Sequence, residues 1–197
     1  MNIAVFASHN GTDLQAIIDA CASGRLNAAV CAVISNNGGS MALQRAEKAG
    51  IANYLANAKQ FGDEDALIDK LLEILDGHHA DIVFLAGYLK KMGRKVLQKY
   101  HNRVFNIHPA LLPKYGGEGM YGIRVHQAVI DAGDKQSGIT IHRVNDVYDE
   151  GEIVAQTTVP VLEGDTAESL AARVLAREHI FIVETLDKII SGEIALG

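Results

Sequence analysis

Asn106-Ile107-His108-Pro109 sets an amide and an imidazole two residues apart. In an extended strand, residues so spaced point to one face, so Asn106 and His108 project side by side. Pro109 biases His108 towards extended backbone. An amide N–H beside an imidazole suits a carbonyl carbon under attack, because both can stabilise the developing oxyanion. A structural histidine satisfied by hydrogen bonds is the alternative on spacing alone. Downstream, Asp146-Val147-Tyr148-Asp149-Glu150-Gly151-Glu152 is an acidic turn. One of its carboxylates could orient a histidine and raise its pKa, or relay a proton through water. Spacing does not choose Asp149 over its neighbours, and a solvated loop is the ordinary alternative. A third segment, Asn10-Gly11-Thr12-Asp13, joins an apolar run to a helical pattern. Backbone N–H groups at a helix N-terminus favour a phosphate, and Gly11 would let it approach. Neither G-x-G-x-x-G nor a Walker A motif is present, and a turn capped by Thr12 or Asp13 is the alternative.

The elements around these segments follow from periodicity. Apolar runs at Ile3–Ala7, Ala28–Ile34, Asp81–Ala86 and Val104–Ile107 read as strands covered on both faces, with a short strand at Asn53–Leu55. Helical spacing follows each of these except Val104–Ile107: Leu14 to Cys21, Met41 to Lys48, Asp63 to Leu75 and Gly93 to Tyr100. Pro109 to Gly122 is a long loop, then Val125 to Ala132 reads as a helix. Gly138–Asn145 and Glu152–Val161 alternate more, which predicts an antiparallel extension with one solvated face. Asp165-Thr166-Ala167-Glu168 resembles a capping box opening a long helix to about Ile190. The fold class is α/β: an open, mostly parallel, twisted sheet flanked by helices, Rossmann-like, with antiparallel strands in the C-terminal part. Ligands in such sheets bind outside the carboxyl ends of the strands. That selects the loops at Ser8–Asp13, Ser35–Ser40, Gly87–Met92 and His108–Gly122.

Composition bounds the rest. The 197 residues carry a net charge of −6, which argues against a general nucleic-acid or membrane-surface binder. No run of about 18 apolar residues exists, and the N-terminus does not read as a signal peptide. Cys21 and Cys31 suit buried, reduced thiols in a cytoplasmic protein. His78-His79 lacks partners at ligand spacing, so no metal is expected. His142, on a strand face with Thr140 and Val144, reads as structural. Gly116-Gly117-Glu118-Gly119 reads as a mobile loop that closes over substrate.

Taken together, Asn106-Ile107-His108-Pro109-Ala110-Leu111-Leu112-Pro113 closely resembles the active-site segment of the folate-dependent formyltransferases. Gly138-Ile139-Thr140-Ile141 through Tyr148-Asp149-Glu150-Gly151 is similar to that family's second signature. Asn2–Ile18 and Leu85-Ala86-Gly87-Tyr88-Leu89 resemble the branch acting on glycinamide ribonucleotide in purine synthesis. The resemblance spans essentially the whole chain. It implies formyl transfer from 10-formyltetrahydrofolate, as co-substrate, to the amine of that ribonucleotide. It implies that Asn106 and protonated His108 stabilise the oxyanion, and that Asp149 orients His108 and helps move the amine proton. It implies a ribonucleotide site of Asn10, Gly11, Thr12, Asp13, Gly87 and Glu178, and a folate site of Leu85, Lys90, Met92, Val104 and Asn145. It also implies one formyltransferase domain over 1–197, with a phosphate-binding half (1–105) and a catalytic, folate-binding half (106–197), as monomer or homodimer. The alternatives are a formyltetrahydrofolate hydrolase, a formyltransferase acting on another amine, or a non-enzymatic phosphate-ligand binding module.

The sequence departs from the family pattern in several places. Asp13 stands where the family usually has Asn, and a carboxylate there repels phosphate unless it points away or caps the helix. Lys90 replaces an Arg, which keeps the charge but loses the bidentate fork. Lys91 replaces an apolar residue, Glu64 stands where some relatives carry Arg, and Arg143 replaces an aromatic. The usual Tyr-Pro-Gly after Lys114 becomes Tyr115-Gly116-Gly117, with extra residues ending near Val125.

Overall fold

Strand β1 (Asn2–Phe6) shows how the sheet is buried: Ile3 and Val5 enter one apolar cluster, Ala4 and Phe6 the other. Successive side chains leave opposite faces, so a strand covered twice must be apolar throughout. The computed structural model describes residues 1–196. Around β1 run β2 (Ala29–Ser35), β3 (Asn53–Leu55), β4 (Ile82–Leu85), β5 (Val104–His108), β6 (Gln136–Arg143) and β7 (Ile153–Pro160). The seven strands lie in the order β3-β2-β1-β4-β5-β6-β7. Pairing is parallel from β3 to β5 and antiparallel for β5–β6 and β6–β7.

Helices α1 (Thr12–Ala22), α2 (Met41–Lys48), α6 (Ile123–Asp131) and α7 (Ala167–Ile190) contribute to the cluster on one face. Helices α4 (Glu64–Gly77) and α5 (Arg94–Lys99) contribute to the other. A short α3 (Ala58–Phe61), absent from the sequence reading, is capped by the Asn57 side chain. The expected elements form within a few residues of their expected ends, and α4 is capped by Asp63.

Three local expectations need correction. Neither Thr12 nor Asp13 caps α1: the helix starts from Gly11, left-handed at φ 64°, with no side-chain cap. At α7 the capping box is Thr166 with Ser169, not Asp165 with Glu168. Asp165 instead accepts from Leu162 N–H, Ser169 Oγ and the Arg173 guanidinium. Strand β6 does not alternate, for Ser137 to His142 are all buried. The face bearing Thr140 lies under the His108–Lys114 loop: Thr140 Oγ1 donates to Ala110 O (2.7 Å) and accepts from Leu112 N–H (3.0 Å). A Cβ on Gly138 would overlap Leu111 and the Thr157 carbonyl, so the loop sits down only on glycine.

The strand order reverses at β1, with β2 on one side and β4 on the other. Crevices form at such a switch point. Two bonds tie the loops there: Ser8 N–H to Gly87 O (3.1 Å) and Leu89 N–H to Ser8 Oγ (3.0 Å). No helix among the described residues is long and apolar enough to cross a membrane.

Candidate active site

Asn106 and His108 occupy the carboxyl end of β5, where the pleat aims both at one cavity of about 480 Å³. Asp149 reaches it from the turn between β6 and β7. Its backbone is left-handed at φ 58°, a conformation that Asp tolerates better than most residues. That bend needs Gly151, where a Cβ would collide with the Arg143 carbonyl and sit 3.3 Å from His142 Nδ1.

Asp149 is held from four sides. Gly117 N–H donates to Oδ2 at 3.0 Å, and His108 Nδ1 lies 3.5 Å from the same oxygen. Oδ1 receives the Asn106 amide at 3.4 Å and faces His142 Nε2 at 3.5 Å. Burial pushes the carboxyl up, but the His142 and His108 imidazoles and the Gly117 N–H outweigh it, and its pKa falls below the usual value. The Asp149 carboxylate is therefore ionised throughout the neutral range.

His108 is 4% exposed. Its Nε2 lies 2.8 Å from the Tyr115 carbonyl, which can only accept, so Nε2 carries hydrogen. Nδ1 then faces Asp149. Burial lowers the His108 pKa, Asp149 and the Tyr115 bond oppose it, and the balance stays below the ordinary imidazole value. The neutral ring is thus the resting form at pH 7. The Tyr115-Gly116-Gly117 departure has a definite place here, with Tyr115 O on His108 and Gly117 N–H on Asp149.

Two further histidines adjoin this cluster: His142, which the sequence places on a strand face as a structural residue, and His126, which it does not single out. His142 Nδ1 donates to Arg143 O at 2.8 Å, which leaves Nε2 to accept the Asn106 amide at 3.0 Å. The antiparallel register pairs Asn106 with His142, a cross-strand relation that spacing within β6 could not reveal. His126 on α6 is buried, and burial and then the nearby His108 push its pKa down to about 4.

The remaining predicted residues divide. Asp13, Gly87 and Glu178 line the same cavity, as do Leu85, Lys90, Met92 and Asn145. Asn10, Gly11 and Thr12 lie beside it in the β1–α1 turn. Because α1 has no side-chain cap, its first N–H groups remain available to an anion. Val104 is the correction: it is 2% exposed in the core beneath the slot. Val144 and Tyr148 line the cavity instead, and Lys91 holds its ammonium 4.8 Å from the Tyr148 ring centroid. Arg143 turns away to Glu152 and the Ala195 carbonyl. The 1–105/106–197 division does not partition the cavity: Glu178 joins Asp13 from the second half, and Leu85 and Met92 come from the first. Among the described residues, no three His, Cys, Asp or Glu side chains are grouped to hold a metal ion.

The fold is an open α/β sheet with its cavity at the carboxyl ends of the strands. Residues 1–186 match the formyl transferase family model, and the chain belongs to that family. It is 38% identical over 179 residues to the phosphoribosylglycinamide formyltransferase of Escherichia coli, covering 91% of this chain and 82% of that protein. It is 40% identical over 188 residues to the chloroplastic enzyme of the same name from Arabidopsis thaliana, covering 95% of this chain and 64% of that longer protein. Among solved structures, glycinamide ribonucleotide transformylase 1 of Symbiobacterium toebii superposes with a TM-score of 0.90 at 37% identity, over 98% of this chain and 88% of that one.

Proposed function

We propose that this protein transfers the formyl group of 10-formyltetrahydrofolate to the primary amine of glycinamide ribonucleotide, a step of de novo purine biosynthesis. One observation carries the reading: Asn106, His108 and Asp149 meet at the cavity of a formyl transferase fold.

The amine lone pair attacks the formyl carbon, and a C–N bond forms as the carbonyl becomes an oxyanion. Of the two Asn106 N–H groups, the one on Asp149 is the longer contact at 3.4 Å and is the one free to turn to the oxyanion. The proton that the amine gives off passes through Asp149 to the open Nδ1 of the resting neutral His108, and the imidazolium so formed is paired with Asp149 at 3.5 Å and offers Nε2–H to the oxyanion. Nε2 meets substrate once the Tyr115 carbonyl yields its bond. The proton passes to the departing folate nitrogen as the old C–N bond breaks. No protein nucleophile is required. Leu85, Met92 and Val144 form an apolar slot that suits a pterin ring, and Lys90 and Lys91 at its rim suit an anionic tail. The free first turn of α1 suits the ribonucleotide phosphate. A reducing, cytoplasmic setting accords with the unpaired Cys21 and Cys31.

Absorbance-monitored folate release from a 10-formylfolate donor, with and without glycinamide ribonucleotide, tests the proposal. Release that requires the ribonucleotide is expected. Equal release without any amine would replace the proposal with hydrolysis, and no release in either case would remove this acceptor.

A further inference from the structure

The turn between β6 and β7, which carries Asp149, has open space on two sides. The active-site cavity lies on one side of it. On the other is a second cavity of about 490 Å³, bounded by Arg94, Gln98 and His101 at α5 and by Asn145, Asp146 and Gly151 of the turn. A turn with voids on both sides is not held by packing there. Asp149 nevertheless has to be held, because its approach to His108, His142 and Gly117 sets what its carboxylate can do.

Two ion pairs brace the turn from the side of the second cavity. Arg94 and Asp146 are 3.6 Å apart and both mostly exposed, so that pair holds little. The other pair is Arg143 with Glu152, the residue that closes the turn before β7. Arg143 also shapes the base of the turn through its backbone. Its N–H donates to Glu152 O at 2.8 Å, and its carbonyl accepts from His142 Nδ1 at 2.8 Å. The Arg143 side chain is 16% exposed and forks two ways. Nη1 donates to the Glu152 carboxylate, and Nη2 donates to the Ala195 carbonyl at 2.6 Å. Ala195 belongs to a tail that is itself anchored. Ile194 N–H donates to Lys188 O at the end of α7 (3.0 Å), and Ile194 and Leu196 pack against the core. The Arg143 Nε–H is buried with no acceptor, which is costly. The guanidinium is thus placed by its two terminal nitrogens, and these join a fixed segment to the end of a loosely backed one.

We propose that Arg143 is a positioning residue: by tying the C-terminal tail to Glu152, it holds the turn so that Asp149 stays at His108. The kinetic consequence rests on the formyl-transfer reading, whereas the placement of Asp149 can be observed without turnover. Arg143 touches neither substrate nor the reacting atoms. It acts through Glu152 and Gly151 on the one carboxylate that faces His108.

Imidazole ¹⁵N resonances of the ligand-free protein, followed from about pH 4 to 8 and assigned with His108→Ala and His142→Ala, read that placement. Asp149 raises the His108 pKa, while burial and His142 lower it. In Arg143→Ala the carboxylate moves away from the ring, so His108 should titrate at lower pH than in wild type. Glu152→Ala should do the same, and its exposed side chain keeps the test open if Arg143→Ala does not fold. In turnover, each variant should lose about 10- to 100-fold in kcat, the scale of a misplacement of about 1 Å, with the KM for ribonucleotide unchanged. The double variant should lose no more than either single one. A lower urea midpoint with an unmoved His108 titration overturns the proposal and leaves Arg143 a purely structural residue. Independent, additive losses from the two single variants also overturn it. A moved His108 titration in a protein that shows no ribonucleotide-dependent folate release keeps the tether and overturns the formyl-transfer reading. Ribonucleotide-dependent release alongside an unmoved titration does the reverse.

Discussion

One cavity holds carboxyl groups in opposite states. Asp149 is ringed by an amide, two imidazoles and the Gly117 N–H, all within 3.5 Å, and stays ionised. Asp13 and Glu178 have comparable burial and none of those partners, and their pKa values move up. Burial by itself does not set the charge of a buried carboxyl; the donors around it do. Such divergence separates tasks. An anion beside His108 steadies an imidazolium that forms only during reaction. Raised carboxyls on the α1–α7 wall carry less charge towards a ligand that is already anionic.

The sharpest way to break this contrast is at its catalytic side. His108→Ala should lower turnover by about 10²–10⁴, on the scale of losing a general acid–base group, with ribose 5-phosphate affinity little changed. Equal losses of both would mean that the two regions are one. Asp149→Asn should lower turnover similarly and also move the acid limb of the pH profile. That limb follows protonation of His108, whose pKa lies below 6.5 and is raised by Asp149, so removing the anion shifts it to lower pH. A limb that stays in place would detach Asp149 from His108.

A smaller effect should follow from Gly151→Ala. The added Cβ forces the turn away from Arg143 O and displaces Asp149, and misplacement of about 1 Å costs up to roughly 10² in turnover. Unchanged kinetics would show that the turn has slack.

At the acceptor side the expected effect is on stability. Asp13 titrates at about 6 in the fold against 3.8 as its unperturbed value. The fold therefore binds more protons than the unfolded chain between these values, and its stability falls as pH rises through that window, then levels off. Asp13→Asn should be more stable than wild type by about 1–3 kcal/mol at pH 8, with the difference shrinking towards pH 4, as read by urea unfolding. A pH-independent difference would remove the contrast with Asp149. Thr166→Ala, which touches neither region, should cost about 1 kcal/mol through the lost α7 cap at every pH.

Much of this arrangement could be read from the chain. The order of strands and helices followed from apolar runs and helical spacing, because each run is buried locally by the same layer along its whole length. Asn106 and His108 shared a face because the pleat alone guarantees it. The contact of His142 with the site was not legible in the chain, since its partner Asn106 lies 36 residues away and is reached only through antiparallel pairing. Val104 was placed in the folate slot, but the slot wall is built by Val144 and Tyr148 from the neighbouring strand and turn. The β6 pattern misled because a loop, not a helix, covers one of its faces.

By itself, then, the sequence determined the α/β layering, the strand end that carries an amide beside an imidazole, and the segments that make the family legible. Only the tertiary structure decided which carboxylate of the acidic turn meets His108, and which carboxyls keep their protons. The reason is physical: spacing encodes direction along one element, whereas charge state depends on burial and on donors from distant segments. Asp149 met two such donors, from Asn106 and Gly117, with two imidazoles beside them, and Asp13 met none.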